Sequence, residues 1–209
     1  MNKQVTFYII RHAETEANKN RIMQGNIDSP LTDKGLRKAK NAAKLLGKIP
    51  VDTIISSDSK RAFDTAVIIA IPHHIEVIRS SELRERLMGS IDGKSKDIFE
   101  NELKEEFSKY KLMSRNNRFE YELAGMESDK KVAQRLVNYI KKIFTKSKYK
   151  TIFIITHGGV MKSFLQYVGF ATYDELPTGS ISYCGYIKTT YDGVTFSVKE
   201  TNGIRITKP

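Results

Sequence analysis

The chain has 209 residues, of which 40% are hydrophobic and 28% are charged, and its formal net charge is +11. This length suits a single domain over residues 1–209, and no run approaches the ~20 apolar residues that a membrane helix requires, so we expect no membrane partner. The basic charge permits nucleic acid, an anionic membrane surface or a small anionic substrate as a partner. Because aromatic residues are not interleaved with the basic ones, as they are in single-strand binding proteins, we expect no nucleic-acid partner.

The single cysteine, Cys184, excludes an internal disulfide and is interpreted as small core filler. One thiol fits a reducing compartment better than secretion. The apolar run before Arg11 is too short for the core of a signal peptide. We therefore predict a soluble, cytoplasmic protein, and the sequence leaves monomer and homodimer equally open.

In the first half of the chain, short runs rich in Val, Ile, Phe and Tyr alternate with helical patterns. The runs predict strands at 4–10, 52–57 and 74–78, and the patterns between them predict helices over 33–48 and 59–70. Apolar residues at helical spacing mark the faces that we expect to be buried. The first face comprises Leu36, Ala39, Ala43 and Leu46, and the second comprises Ala62, Ala66 and Ile69.

The second half begins with a polar stretch, in which Phe99, Leu103 and Phe107 predict one helix followed by irregular structure to Gly125. We predict that residues 90–126 form an insertion that caps the substrate. A helix over 129–146, capped by Ser128, a strand over 151–156 and a hairpin around Asp192-Gly193 follow. This order predicts an α/β fold, a three-layer sandwich with a mostly parallel central sheet and helices on both faces.

Polar clusters follow the predicted parallel strands. They are Arg11-His12, Ser57 to Arg61, Glu82 to Arg86, and His157-Gly158. Ligand sites of open parallel sheets lie beyond the carboxyl ends of the strands, so the four clusters are expected to converge. A single histidine at such a position is usually a satisfied polar residue, but a pair of histidines together with arginines and a carboxylic acid indicates a site for an anionic substrate.

These residues resemble the histidine phosphatase (phosphoglycerate mutase-like) superfamily, in the family's order from residue 5 to about 169. The matching motifs are Arg11-His12-Ala13-Glu14-Thr15, Asn18, Gln24-Gly25, Ser29 to Thr32 with Gly35, Ser56-Ser57, Arg61-Ala62, Thr65-Ala66, Leu83 to Arg86 with Gly89, and Thr156 to Gly159. The family most often has glycine at the position of Ala13, which puts in question how closely this loop approaches a phosphate. The resemblance implies catalysis without a metal or other cofactor.

The chemistry of the residues agrees with this resemblance. A neutral imidazole is a good nucleophile, and Arg11 disfavours protonation of His12. Attack by His12 on phosphorus gives a phosphohistidine, whose oxygens Arg11, Arg61 and His157 are suited to hold. By resemblance, Glu85 rather than Glu14 or Glu82 is the proton donor. The resemblance also implies that the substrate is bound by Asn18, Gln24, Gly25, Arg86 and Gly158.

Competing interpretations remain at this stage. Arg61 is compatible with a helix-surface charge, Glu85 with a solvated loop residue, and Gly158-Gly159 with a tight turn. The adjacent His73 and His74 lack the spacing of metal ligands, so no metal site is predicted. The predicted function is a phosphatase acting on small phosphorylated metabolites. The alternatives are a 2,3-bisphosphoglycerate-dependent phosphoglycerate mutase, against which the short segment after Gly89 argues, and a non-catalytic phosphate-binding protein.

Overall fold

The computed structural model describes residues 3–207, except for the side chain of Phe99. The strands are Val5–Arg11 (β1), Thr53–Ser57 (β2), Val77–Ser80 (β3), Thr151–Thr156 (β4), Ile181–Tyr191 (β5) and Phe196–Ile204 (β6). The helices are Glu16–Lys19 (α1), Asp33–Leu46 (α2), Lys60–Ala70 (α3), Lys96–Glu102 (α4), Lys104–Leu112 (α5), Arg115–Glu120 (α6), Asp129–Lys146 (α7) and Gly158–Tyr167 (α8). None of the helices formed by residues 3–207 is long and apolar enough to span a bilayer.

The strands form one sheet in the order β3-β2-β4-β1-β5-β6. The first four strands are parallel, whereas β5 pairs antiparallel to β1 and β6 pairs antiparallel to β5. The predicted α/β class with a mostly parallel sheet is confirmed. Because the parallel strands point the same way, the segments that follow β1, β2, β3 and β4 all leave the sheet at one edge.

Alternate residues of β1 enter two different cores. Phe7 and Ile9 pack with α7 and α8 on one face of the sheet. Tyr8 and Ile10 pack with α2 and α3 on the other face. The period of two residues in a strand thus supplies both interfaces of a three-layer sandwich, as the sequence predicted. Cys184 is half-buried against the second core, and burial raises the pKa of its thiol to about 12.

Helix α2 differs in one respect from its predicted buried face. Ala39, Ala43 and Leu46 are buried, but Leu36 is 37% exposed. The first turn of α2 instead approaches the preceding loop through Gly35, where an added Cβ would lie 2.2 Å from the carbonyl oxygen of Glu14. Because this close approach turns Gly35 inward, Leu36 one residue further round the helix faces outward.

The third strand begins at Val77 rather than at residue 74. A 3₁₀ turn over Ile71–His73 precedes it, and His74 closes that turn with a left-handed backbone, φ 54°. A residue in this conformation cannot continue an extended strand. The shift carries β3 to Ser80, so the strand delivers Leu83 to Arg86 directly to the edge where the other polar clusters lie.

The segment over residues 90–126 is more helical than its sequence predicts. The predicted single helix is two helices, α4 and α5, that break at Leu103. Helix α6 occupies the stretch that was expected to be irregular, and the Ser114 hydroxyl caps it by accepting from the amide of Asn117. Of the aromatic and leucine positions used in that prediction, Phe99 has its side chain outside the described part, while Leu103 and Phe107 pack on a third, smaller core.

Candidate active site

His12 lies immediately after β1 and is 4% exposed. Its amide continues the pairing with β4 by donating to the carbonyl of Thr156 at 2.9 Å. Its Nδ1 lies 2.7 Å from the carbonyl oxygen of Ala13. Because a carbonyl oxygen only accepts, Nδ1 carries the proton, and the lone pair of the neutral ring is on Nε2. The ring is therefore held in the tautomer that an Nε2 nucleophile requires.

Ala13 occupies its position without backbone strain. Its amide donates to the Thr65 hydroxyl at 3.0 Å, and that hydroxyl donates to the carbonyl of Arg61 at 2.7 Å. Among the described residues, those with positive φ do not include Ala13. The backbone at Ala13 therefore has a conformation that does not require glycine.

His157 follows β4 and precedes the first turn of α8. Its ring centroid is 5.2 Å from that of His12, and its Nε2 lies 2.9 Å from the hydroxyl oxygen of Ser57 at the end of β2. Strand ends that are distant in sequence thus bring the two histidines into direct contact. Ser57 is part of a matching motif, but the sequence predicted no role for it. In the structure its hydroxyl contacts Nε2 of His157 and so orients that ring.

Arg11 and Arg61 are held by different contacts. The Arg11 guanidinium stacks on the ring of Tyr183 at 4.1 Å. A Cβ on Gly158 would lie 3.0 Å from Arg11 Nε, so glycine gives this guanidinium its room. Arg61 is 1% exposed and is held through its Nη atoms, which donate to Asp28 at 3.0 Å and to the Gly25 carbonyl at 3.1 Å.

Three nitrogens of these side chains are buried without a hydrogen-bond partner among the described residues. They are Arg11 Nε, Arg61 Nε and His157 Nδ1. Leaving a buried polar group unpaired costs about 1–3 kcal/mol, so such groups are rare and require an explanation. Three of them in residues that the sequence had already grouped indicate a site built for an acceptor from outside the protein.

Glu85 is fixed by two backbone amides. Its Oε2 accepts from Gly159 at 3.0 Å and its Oε1 accepts from Arg86 at 2.9 Å. A Cβ on Gly159 would lie 2.4 Å from Oε1, so the second glycine of the pair leaves space for this carboxyl group. Glu14, an alternative acid, is instead held by the Thr32 hydroxyl and by Lys34.

Arg135 of α7 holds the loop that carries Glu85. Its Nη1 donates to the carbonyls of Glu82 and Arg84 at 2.7 and 2.9 Å. Its Nη2 pairs with Glu127 at 3.0 Å, and Glu127 also accepts from the amide of Leu87. Glu127 therefore contacts both Arg135 and this loop. Arg135 had no predicted role.

The electrostatics keep both histidines neutral. Burial lowers the pKa of His12 well below its ordinary value, and the charges of Arg11 and Arg61 lower it further. Burial likewise lowers the pKa of His157, with the charge of Arg61 adding to the effect. A ring that resists protonation keeps its lone pair, which is the condition for nucleophilic attack near neutral pH.

The predicted substrate-binding residues Asn18, Gln24 and Gly25 make contacts within the protein. The Gln24 amide bonds to Thr15 and Ser29, and the Asn18 side chain caps α1 with Thr15. Gly25 packs so closely that a Cβ there would lie 2.9 Å from Met88 Cγ. Their roles toward a substrate, like those of the catalytic residues, stay predictions.

Arg86 belongs to a buried network that the sequence did not predict. It donates to Asp129, at the start of α7, and to the Ser163 hydroxyl at 3.0 Å. The Tyr173 hydroxyl donates to the same carboxylate at 3.0 Å. Burial favours the neutral form of Asp129, but Arg86 and the hydrogen bonds from Ser163 and Tyr173 together hold its pKa below the ordinary value. An acidic residue after a capping serine is common at the start of a helix. The sequence around Asp129 therefore gave no signal of its contact with Arg86.

Within the described residues, no group of three His, Cys, Asp or Glu side chains has the arrangement of a metal site. The ring of His73 packs edge-on against Phe153 with centroids 5.4 Å apart. His73 is half-buried, and this ring contact gives it a structural role.

Comparison with known proteins agrees with the geometry of the cluster. The family model of the histidine phosphatase superfamily (branch 1) matches residues 7–203. "Phosphoglycerate mutase-like protein 4" of Arabidopsis thaliana is 36% identical over 158 residues, which are 74% of this chain and 67% of that protein. "Metal-independent phosphoserine phosphatase" of the same plant is 38% identical over 159 residues, 74% of this chain and 65% of its own length.

Solved structures share the fold. "Bacillus stearothermophilus YhfR" superimposes with a TM-score of 0.80 at 29% identity, covering 93% of this chain and 95% of its own. The phosphoglycerate mutase of Bacillus anthracis str. Sterne has a TM-score of 0.83 at 23% identity, covering 97% and 94%. Since the family model spans nearly the whole sheet and the four clusters that leave it, this chain belongs to the histidine phosphatase superfamily.

Proposed function

We propose that this protein is a metal-independent phosphatase that hydrolyses small phosphomonoesters through a phosphohistidine on His12. The observation that carries the proposal is a set of three buried nitrogens that have no hydrogen-bond partner in the described part of the chain, Arg11 Nε, Arg61 Nε and His157 Nδ1. Phosphate oxygens are acceptors that satisfy such donors, and guanidinium groups bind them best. The relative named as a metal-independent phosphoserine phosphatase supports catalysis without a metal.

In the first step, Nε2 of His12 forms a bond to phosphorus and the bond from phosphorus to the ester oxygen breaks. The departing alkoxide takes a proton from the carboxyl group of Glu85, so the products are a neutral alcohol, phosphohistidine and a carboxylate. Arg11, Arg61 and His157 stabilise the charge on the equatorial oxygens. The preset tautomer of His12 means that no proton needs to leave the ring before attack.

In the second step, water attacks phosphorus and the bond to Nε2 breaks. Glu85 recovers its proton from the water, and inorganic phosphate leaves with His12 regenerated. We propose that the cap segment, residues 90–126, covers the alcohol part of the substrate in a single-domain protein. The amides of Gly159 and Arg86 keep the carboxyl group of Glu85 in place through both steps.

The decisive experiment compares wild type with His12→Ala in hydrolysis of p-nitrophenyl phosphate. We expect kcat to fall about 10⁴-fold or more, because the nucleophile is removed. His74→Ala is the control, since His74 lies in the turn before β3, and it should keep wild-type kcat. Acid-labile phosphate should be trapped on wild type and be absent from His12→Ala. Equal turnover by wild type and His12→Ala would refute the proposal.

Incubation with 3-phosphoglycerate separates phosphatase from mutase. Whatever 3-phosphoglycerate is turned over should yield inorganic phosphate, because the proposal makes water the acceptor of the phosphoryl group. Formation of 2-phosphoglycerate would identify a mutase instead. Binding of phosphate without turnover of any ester would identify a non-catalytic protein.

A further inference from the structure

A cavity of about 230 Å³ is enclosed largely by side chains of the cap segment and of the loops that pack on it. Its wall is mostly apolar and aromatic. The apolar and aromatic side chains that line it are Met23, Met88, Phe107, Tyr110, Tyr121, Leu123 and Met126. An apolar cavity of about 150 Å³ is enough to hold a benzene molecule, so this one holds an aromatic ring or a branched alkyl group with room to spare.

Two chain segments join this cavity to the proposed phosphate site. In the first, Met23 lines the cavity, and the carbonyls of the next two residues, Gln24 and Gly25, accept from Arg61 Nη2 at 3.4 and 3.1 Å. In the second, Arg86 lines the cavity and directly follows Glu85. The cavity wall is thus one or two residues along the chain from the backbone that holds Arg61 and from the proposed proton donor Glu85.

The charged side chains of the cavity wall are already paired. Arg86 pairs with Asp129, and Glu127 pairs with Arg135 at 3.0 Å. Lys96 pairs with Glu100 at 3.2 Å. A leaving group with its own ammonium or carboxylate would have to replace one of these pairs, and burying a charge without such replacement is costly. An uncharged apolar group needs no replacement.

We propose that the cavity binds the alcohol portion of the substrate and selects phosphate monoesters of aromatic or branched apolar alcohols over esters of charged alcohols. This inference rests on the proposed function and names the substrate class of that site. One relative is named as a phosphoserine phosphatase, and the serine part of phosphoserine carries two charges. The inference therefore gives this chain a different substrate class from the one in that relative's name.

The first test compares kcat/KM for 2-phenylethyl phosphate, ethyl phosphate and O-phosphoserine. All three release a primary alcohol, so they differ mainly in the group beyond the ester oxygen. Burial of the phenyl ring should raise kcat/KM about 10- to 100-fold over ethyl phosphate, and phosphoserine should be the poorer substrate. Equal values for phenylethyl and ethyl phosphate, or a preference for phosphoserine, would overturn the inference while leaving the phosphatase activity established.

The second test alters the cavity wall. Met126→Gln keeps the length of the side chain and adds a polar amide, so the preference for phenylethyl over ethyl phosphate should fall at least fivefold, or about 1 kcal/mol. Leu112→Gln makes a similar change on the same cap segment, at a position that is 88% exposed, and should keep the wild-type preference. Thr178→Trp, on an exposed loop at the cavity, should also reduce the preference. Because this position is exposed, the variant tests the cavity even where Met126→Gln fails to fold.

A binding measurement makes the inference independent of turnover. Calorimetry with His12→Ala should show that 2-phenylethylphosphonate binds about tenfold or more tightly than ethylphosphonate. If no ester is hydrolysed but this difference appears, the proposed function fails and the cavity assignment stands. Equal affinities for the two phosphonates would reject the cavity as an apolar subsite, whatever the activity.

Discussion

At the scale of single residues, the Gly158-Gly159 pair has two separate functions. Gly158 leaves room for the Arg11 guanidinium, and Gly159 leaves room for the Glu85 carboxyl group. Gly159 also donates its amide to that carboxyl group at 3.0 Å. Both residues lie in the first turn of α8, where the backbone is helical and alanine is favoured by propensity. The glycines therefore serve the neighbouring side chains rather than the helix.

Gly159→Ala should separate activity from stability. The added Cβ would lie 2.4 Å from Glu85 Oε1 and would displace the proposed proton donor. A misplacement of about 1 Å costs up to ~100-fold in rate, so we expect kcat for ethyl phosphate to fall about 10- to 100-fold. The midpoint of urea unfolding should not decrease, because alanine is the better helix former. Steady-state kinetics and urea titration measure the two effects.

Gly169→Ala is the matched control for that variant. Gly169 lies just beyond α8 with φ 72°, and a Cβ there would have no neighbour within 4 Å. The left-handed backbone should cost about 1–2 kcal/mol of stability while leaving kcat unchanged. The opposite pattern, with activity lost at Gly169 and retained at Gly159, would show that Glu85 is not the group that matters.

A residue of the candidate site could be predicted only where a local sequence motif marks it. Local sequence was enough to group five residues as a candidate site, because they lie in short motifs at or near strand ends: Arg11, His12, Arg61, Glu85 and His157. Tyr183, which stacks on Arg11, is not adjacent to any motif. Its position depends on an irregularity of β5 between Ile181 and Tyr186. Such an irregularity shifts the register of every side chain after it and has no local sequence signal.

At the scale of elements, the start of α7 joins helix capping to the site. The Ser128 hydroxyl accepts from the amide of Lys131, which ends the preceding loop and fixes the first turn. Asp129 then occupies a position where an acidic side chain is favoured by the helix dipole, and it is also the counter-ion of Arg86. Ser128 and Asp129 thus stabilise the start of α7, and Asp129 also anchors Arg86, the residue that follows Glu85.

Asp129→Asn should destabilise the protein and reduce activity. The change leaves the partly buried Arg86 without its counter-charge and weakens the hydrogen bonds from Ser163 and Tyr173. Breaking a buried ion pair typically costs about 3–5 kcal/mol, and because the Arg86 side chain retains 18% exposure we expect a loss of about 2–3 kcal/mol. Urea unfolding at pH 7.5 measures this loss.

Asp174→Asn provides the control, since it removes the same charge from an ion pair with Arg118 that is 3.8 Å long and 93% exposed on the aspartate side. Exposed pairs contribute little, so its stability should stay within about 0.5 kcal/mol of wild type. Equal losses in the two variants would mean that the charge of Asp129 acts through the overall field and not through Arg86.

The elements differ in how well their sequences define them. Helix α7 has a capping serine and regular apolar spacing, and its predicted bounds agree with the structure. The cap segment has short helices whose apolar residues pack on a small core of their own, together with Met23 from a distant loop. Its helices are stabilised by this packing rather than by long amphipathic faces, so periodicity could not locate them.

At the scale of the whole molecule, the sheet places two neutral histidines inside a protein whose formal net charge is +11. His12 is 4% exposed and His157 is fully buried. The pKa of each is lowered in the folded state, first by burial and then by nearby arginines. Below pH 6.5 the unfolded chain binds protons at these rings that the folded chain does not bind, so stability decreases as the pH falls toward the folded-state pKa.

We expect the free energy of unfolding to be greatest above pH 6.5 and to fall by roughly 2–3 kcal/mol per pH unit below it, about 1.4 kcal/mol for each ring. Arg86 and the hydrogen bonds from Ser163 and Tyr173 hold the pKa of Asp129 below its ordinary value despite burial, so Asp129 does not contribute to this slope. Urea unfolding at pH 7.5, 6.5 and 5.5 measures the slope.

Repulsion within a basic protein also grows as the pH falls, so variants are needed to separate the two causes of the slope. The double variant His12→Asn, His157→Asn should lose most of the pH dependence of stability. His74→Asn should keep this dependence, because it removes a histidine outside the pair at a left-handed backbone position that asparagine tolerates. A slope that survives in the double variant would assign the acid sensitivity to general charge repulsion and not to the buried pair.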